Sequence, residues 1–506
     1  MGDLSLGSAS VDTRQANSSA VVSTDPGVIK QFRAVLPAHC IITDPRATKP
    51  FETDGLTAVK QIPWIVVLPE TVDQVRAVLR ICRDSRVPLV ARGAGTGLSG
   101  GARPSADGVL LGLSKLSRIL EIDPDNRIAR VEPGVRNLAI SEAAAQYGLY
   151  YAPDPSSQIA CSIGGNVAEN SGGVHCLKYG LTVHNVLGLK LLTMEGDELT
   201  LGGATLDSPG YDLLALLNGS EGMLGIVTEV TVRLLPIPAT KRLVLAAFAD
   251  LDAAAGAVGV IIASGIVPAG LEMMDARAIA AAEAFVGAGY PTDAAAILLC
   301  ELDGTQDEVD EQCAQVVRLM RSQQATEVRA SRDDADRERM WLGRKAAFPA
   351  IGRLAPDYYC MDGTIPRWRL AEVLRAIEKL SEQFGLAVAN VFHAGDGNLH
   401  PLILYDANAP GELDRAEKMG GEILALCVAV GGTVTGEHGV GVEKLDAMCG
   451  QFSASELDQF HKLKAAFDPA GLMNPGKAVP TLARCAEVGG MHVHHGKIAF
   501  PEIERF

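Results

Sequence analysis

The sequence predicts an α+β protein of at least two domains, and three features carry that expectation. A chain of 506 residues exceeds what one hydrophobic core can organise, so two or three domains are expected. Residues 62–91 read as strand, helix and strand, a βαβ unit with parallel pairing. The pattern then shifts after Pro236 and Pro238. Residues 241–305 and 355–405 alternate strand and helix around a highly charged helical stretch near 306–345.

The elements follow from local chemistry. Residues 1–25 are small and polar, carry no apolar core of a signal peptide, and are expected to be disordered. Ile62–Pro69 (IPWIVVLP) reads as a strand. Thr71 caps the next helix, where Val75, Val78, Leu79 and Cys82 recur at helical spacing. Val87–Ala91, Val109–Leu113, Ile128–Val131, Val186–Thr193 and Gly225–Leu235 are further strands, with a helix at 136–147. The charge-free run Ala253–Gly270 approaches the length of a membrane span, but Gly256, Gly259, Gly265 and Pro268 interrupt it. Asp250 can cap a helix over 251–264 that Gly265 ends, so a buried helix followed by a strand is expected, and any membrane contact is peripheral. A helix near 412–430 and the turn-rich Asp468–Lys477 (DPAGLMNPGK) complete the chain before a loosely packed tail with His492, His494 and His495.

Composition excludes some classes. A formal net charge of −16 argues against nucleic acid as the main partner. The 10 cysteines include no C-x-x-C pair, which suggests reduced thiols in a cytoplasmic setting and no iron–sulfur cluster on this chain.

Two segments point to metal and acid–base chemistry. VFHAGDGNLHP (391–401) and TGEHG (435–439) hold His393, His400 and Glu437 with a spare imidazole, His438. Two imidazoles and a carboxylate suit a divalent metal (zinc, manganese or iron) with open positions, and a free imidazole can take a proton near neutral pH. Buried, hydrogen-bonded histidines in tight turns are the rival reading of either segment alone.

Three more segments are rich in glycine. RGAGTGLSGG (92–101) formally matches G-x-G-x-x-G, but it follows the second strand and precedes Pro104 and another strand, so the dinucleotide fingerprint fails on context. Its backbone amides can still form an anion-binding concavity. PDPSSQIACSIGGNVAENSGG (153–173) and GSEGMLGIVTEV (219–230) share this character and would let a large flat cofactor lie against backbone.

Taken in order, these segments resemble the FAD-binding domain of the vanillyl-alcohol-oxidase (PCMH-type) flavoproteins. WLGRKAAFPA, VFHAGDGNLHP, TGEHGVG and MNPGK narrow the resemblance to the D-2-hydroxyacid dehydrogenase branch, and within it to the FAD-binding catalytic subunits of bacterial glycolate oxidases. It covers nearly all the chain after residue 25. The implied fold is a PCMH-type FAD-binding domain of two α/β subdomains (26–238), then a ferredoxin-like α+β substrate or cap domain with the metal site (239–460). A segment returning to the flavin (461–480) and the tail (481–506) would follow.

The resemblance implies roles by position. Arg92, Gly93, Ala94, Gly95, Thr96, Gly97, Leu98, Ser99 and Gly100 would hold the FAD pyrophosphate. Pro153, Asp154, Ser162, Gly164, Gly165, Asn166, Ser171 and Gly172 would line the flavin, completed by Glu221, Gly222, Gly225, Ile226, Val227 and Asn474. Thr96 stands in a loop where relatives with covalent flavin carry His, so FAD is expected to be non-covalent. His393, His400 and Glu437 match metal ligands, His438 the catalytic base, and Arg344 the clamp on the substrate carboxylate. Where the 2-hydroxyglutarate enzymes carry a lysine, Tyr358–Asp362 reads YYCMD, with Cys360 near that position, so a small monocarboxylate is preferred.

The implied activity is oxidation of glycolate or D-lactate to the 2-oxo acid with hydride passing to flavin N5. Electrons would leave through a second flavin-type subunit and an iron–sulfur subunit, leaving the protein cytoplasmic and tied to the membrane's inner face through partners. A stand-alone D-lactate dehydrogenase using a quinone or cytochrome, and a non-catalytic flavin relay, are the alternatives. A zinc hydrolase would leave the glycine-rich segments without a task.

Overall fold

The computed structural model describes residues 26–205, 210–481 and 484–485. The expected disorder of residues 1–25 and the histidines of the tail lie outside the described residues.

Apolar β-branched runs bounded by prolines build the first sheet. Pro63 and Pro69 confine the expected strand to Ile65–Val67. The helix Val72–Asp84 starts where Thr71 Oγ1 accepts the Gln74 amide at 3.2 Å, and it buries Val75, Val78, Leu79 and Cys82. The strand Leu89–Arg92 closes the βαβ unit. Its two strands run parallel but are not neighbours: Val109–Gly112 lies between them and pairs in parallel with both. All four residues of that inserted strand are buried, which favours the central place over an edge.

A second, antiparallel sheet has five strands in the order Ile119–Asp123, Ile128–Val131, Ile226–Arg233, Val186–Leu192 and Glu198–Gly202. Its two edge strands were not expected. They are half exposed and mix polar with apolar residues, so their local pattern is weak.

A third, antiparallel sheet of seven strands fills the rest of the chain. Its strands alternate sides: Val244, Ala246 and Phe248 face one core, and Leu243, Leu245 and Ala247 face the other. Helices Leu251–Ala263, Gln306–Ser322, Leu370–Phe384 and Glu412–Ala429 cover the first side, and Ala276–Val286 and Asp334–Lys345 the second. The charged stretch near 306–345 is not all helical. Glu327–Ala330 pairs with Val244–Ala247 as an edge strand, where its charged side chains reach water. The charge-free run folds as a capped helix, with Asp250 Oδ1 accepting the Ala253 amide at 2.8 Å, followed by the strand Gly270–Asp275. Among the described residues no helix is long and apolar enough to cross a membrane.

The expectation of reduced thiols needs correction. Cys449 and Cys485 form a disulfide, with S–S 2.04 Å, and the other described cysteines are free. The partners stand 36 residues apart, and such a pairing is a tertiary property that spacing does not reveal. The segment Leu472–Asn474 returns to the first sheet: the Leu89 amide donates to Leu472 O at 2.8 Å, and the Asn474 amide donates to Leu89 O at 2.7 Å.

Candidate active site

The three glycine-rich segments meet around one open cleft, about 1290 Å³ counting the space continuous with solvent. Arg92, Gly93, Ala94, Gly95, Thr96, Gly97 and Leu98 line it from the first segment. Ser162, Gly164, Gly165, Asn166, Ser171 and Gly172 contribute from the second, and Glu221, Gly222, Gly225, Ile226 and Val227 from the third. Glu437 and His438 stand in the same wall.

Glycines from all three segments line this surface. A Cβ built on Gly93 would lie 2.1 Å from Ser162 Oγ, so only glycine lets the two segments approach. Ser162 in turn caps the helix Ile163–Glu169 by accepting the Gly165 amide at 3.3 Å. Asn166 Nδ2 is buried without a protein partner, an unspent donor in the wall. Glycine backbone, a guanidinium at Arg92 and an unspent amide donor fit a flat cofactor carrying phosphates.

Other expected residues brace the cleft from behind. Ser99 O accepts from the Val442 and Glu443 amides, next to Gly100. Pro153 O accepts from Asn137 Nδ2 at 3.0 Å. Asn474 Nδ2 donates to Gly101 O at 3.1 Å and Glu221 O at 2.6 Å, tying two lining segments together. Asp154 faces His175, whose Nδ1 lies 2.7 Å from Asp154 Oδ2 and whose Nε2 lies 3.0 Å from Glu301 Oε1. Burial works against a charged His175, but Asp154 and Glu301 outweigh it and raise the ring to about 10.

The histidine–glutamate cluster adjoins the cleft. His393 Nε2 and His400 Nε2 each lie 3.3 Å from Glu437 Oε1, and His438 Nε2 lies 3.9 Å from it. Candidate ligand atoms of His393, His400 and Glu437 fall within 4.8 Å of one another. The rings of His400 and His438 stack at 4.9 Å. His400 Nδ1 is buried without a hydrogen-bond partner, and Nε2 has only the carboxylates of Glu437 at 3.3 Å and Asp362 at 3.5 Å beside it. Two buried carboxylates, Glu272 and Asp362, pair with the buried cations Arg344 and Lys444, and half-buried Glu437 stands between them at the cleft wall. Converging nitrogen and oxygen donors of two imidazoles and a carboxylate fit a divalent cation.

The charges here are strongly displaced. Burial opposes ionisation of Glu437, yet His393 and its neighbours lower the carboxyl to about 2. Burial likewise opposes a charged His393, but Glu272 and Glu437 hold it well above an ordinary imidazole. Burial, with His400 and Lys444 nearby, pushes His438 down to about 4, leaving a neutral base at neutral pH.

Arg344 lies behind this cluster. Its Nε and Nη2 bind Glu272 Oε2 at 2.9 and 2.6 Å, and Glu272 Oε1 holds His393 Nδ1 at 2.8 Å. Sequence reasoning missed Glu272, although a charge inside the apolar strand Gly270–Asp275 was a readable sign. It also missed Asp362, Lys444 and Glu169. Burial and neighbouring Glu221 push the Glu169 carboxyl well above its usual range where it lines the cleft. The YYCMD segment offers no cation of its own, but the fold brings Lys444 to Asp362 Oδ2 at 3.0 Å. Lys444 also bonds Thr435 Oγ1 and Gly439 O, so its hydrogens are spent.

A fold in which glycine loops from two sheets meet a histidine–glutamate cluster of a third defines a class, and comparison with known proteins agrees. Residues 63–202 match the "FAD binding domain" model and residues 237–478 match "FAD linked oxidases, C-terminal domain". The chain belongs to the FAD-linked oxidases. It is 61% identical over 479 residues to glycolate oxidase subunit GlcD of Escherichia coli (strain K12), covering 95% of this chain and 96% of that one. It is 32% identical to a D-lactate dehydrogenase of Archaeoglobus fulgidus, covering 85% and 95%. In fold it is similar to p-cresol methylhydroxylase with substrate bound, at TM-score 0.75 and 19% identity over 90% of this chain and 97% of that one.

Proposed function

We propose that this protein is the FAD-binding catalytic subunit of an enzyme that oxidises a small 2-hydroxy acid, glycolate or D-lactate, to the 2-oxo acid. The observation that carries the reading is the presence of Glu437 and His438 in the same cleft wall as the three glycine-rich segments. The 61% identity to a glycolate oxidase subunit supports glycolate; the 32% identity to a D-lactate dehydrogenase keeps D-lactate as the second substrate to test.

When bound, non-covalently on this reading, FAD supplies the two-electron acceptor for the hydrogen leaving the substrate's Cα. A divalent cation held by His393, His400 and Glu437 supplies Lewis acidity toward the substrate hydroxyl. His438, neutral at physiological pH, takes the hydroxyl proton at Nε2, the nitrogen beside Glu437. On this reading Arg344, held by Glu272 behind the cluster, would turn its remaining guanidinium edge to the substrate carboxylate. Glu272 also fixes the His393 ring through Nδ1 and leaves Nε2 to face Glu437. Lys444 has no hydrogen left for a second carboxylate, which supports a monocarboxylate substrate.

Electrons then pass to partner subunits, on this reading a second flavin-type subunit and an iron–sulfur subunit that hands them toward the membrane. The similarity to a protein named as a subunit, and cysteines without cluster spacing, support this division of labour. The protein is then cytoplasmic and meets the membrane only through partners.

Anaerobic mixing with glycolate, D-lactate and L-lactate, followed by flavin absorbance, tests the reading. Glycolate or D-lactate should bleach the flavin, and the faster of the two is the substrate. L-lactate should not bleach it. Stripping metal with a chelator should slow bleaching while the protein stays yellow. A flavin that neither glycolate nor D-lactate reduces overturns the proposal.

A further inference from the structure

Glu437 and His438 are consecutive, and consecutive residues of an extended chain project to opposite sides. For one to be a ligand and the next a base in one site, the backbone must be held in a tight, unusual course. The buried carboxylate of Asp362 does this. Its Oδ2 accepts from Thr435 Oγ1 at 2.6 Å, the Gly436 amide at 3.0 Å and the His438 amide at 2.9 Å. Its Oδ1 accepts from the Glu437 amide at 3.1 Å. Three successive amides converging on one anion form a nest, filled here by the protein's own side chain.

The same segment is stitched to both loops that carry the cluster. The Gly436 amide is shared between Asp362 Oδ2 and Asp362 O, the latter at 2.8 Å, and Thr364 exchanges backbone hydrogen bonds with Thr433 at 3.0 and 3.1 Å. Gly363 O accepts from the Leu399 amide at 2.9 Å, and the Ile365 amide donates to Gly397 O at 3.0 Å. Lys444, fully buried, balances the carboxylate at 3.0 Å and anchors the loop's far end through Gly439 O at 3.0 Å. Asp362 Oδ1 lies 3.5 Å from His400 Nε2, and Asp362 does not line the cleft.

We propose that Asp362 is the positioning residue that turns Glu437 and His438 toward one cleft, acting through the backbone of residues 435–438. The assignment rests on the reading of Glu437 as ligand and His438 as base given above. It makes the Asp362–Lys444 pair more than a buried ion pair: a neutral replacement of both partners should keep the fold and lose the site.

The test uses the full-length, FAD-loaded chain. Asp362→Asn strands the Lys444 charge and risks misfolding, so the deciding variant is D362N/K444M, with D362E as a second that keeps the charge and displaces the oxygens. Three quantities are read: thermal midpoint with FAD content, Zn²⁺ affinity by titration of the stripped protein, and kcat and KM with glycolate or D-lactate. D362N/K444M and D362E should keep FAD and melt near wild type, while Zn²⁺ affinity and kcat fall about 10–100-fold. Wild-type Zn²⁺ affinity and kcat in either folded variant overturn the role of Asp362 and leave the site reading intact. A wild-type chain without a saturable Zn²⁺ site overturns the site reading, and this proposal with it.

Discussion

The cofactor cleft and the histidine–glutamate cluster share a wall, yet they are built from different material. In the cleft, glycine backbone faces the cofactor position, and the tightest approach is the 2.1 Å that a Cβ on Gly93 would leave to Ser162 Oγ. In the cluster, side chains do the work: Arg344 holds Glu272, Glu272 holds His393, and His393 faces Glu437. The first region fails when an atom is added, and the second when a charge or an imidazole is removed. Steric complementarity and electrostatic layering are therefore separable within a few residues of each other.

The sharpest way to separate them is His438→Ala. Removing the base should lower turnover by about 10²–10⁴-fold while the FAD absorbance per chain stays at the wild-type value. Turnover within a few-fold of wild type removes His438 from the chemistry. The converse is Gly93→Ala. Overpacking typically costs about 1–3 kcal/mol, so FAD retention on gel filtration should drop while metal stays bound. Equal FAD content in G93A would mean that Ser162 can move aside.

The smallest effect lies at the seam between the regions, where His175 bridges Asp154 to Glu301 on the seven-stranded sheet. Its folded value of about 10 is raised above the roughly 6.5 of a free imidazole. The stabilisation is therefore complete below about pH 6.5 and is lost as pH rises through about 10. Wild-type melting should fall across that window, and His175→Gln should flatten the decline. Parallel curves for the two proteins would rule out a charged His175 as the bridge.

Much of this was legible before the fold was known, and its limits are physical. Caps and helical spacing placed the start of the helix Val72–Asp84 and both ends of Leu251–Ala263 almost to the residue, because those signals lie within a few residues of each other. The glycine segments and the ligand–base cluster stood out because their residue types suit few other purposes. Glu272 and Asp362 did not, since each acts on residues more than seventy positions away and nothing local marks the meeting. The edge strands Ile119–Asp123 and Glu327–Ala330 carry half-polar patterns that resemble loops or helix faces. The central place of Val109–Gly112 is decided by which strand most needs both neighbours, a comparison among strands.

The pairing of Leu472 and Asn474 with Leu89 carries a consequence for biosynthesis. Asn474, which ties Gly101 to Glu221, is among the last described residues to leave the ribosome. A nascent chain can finish the first sheets long before that clasp exists. On the proposed reading, loading of the yellow cofactor would wait for Asn474, and a chain cut short before it would emerge colourless.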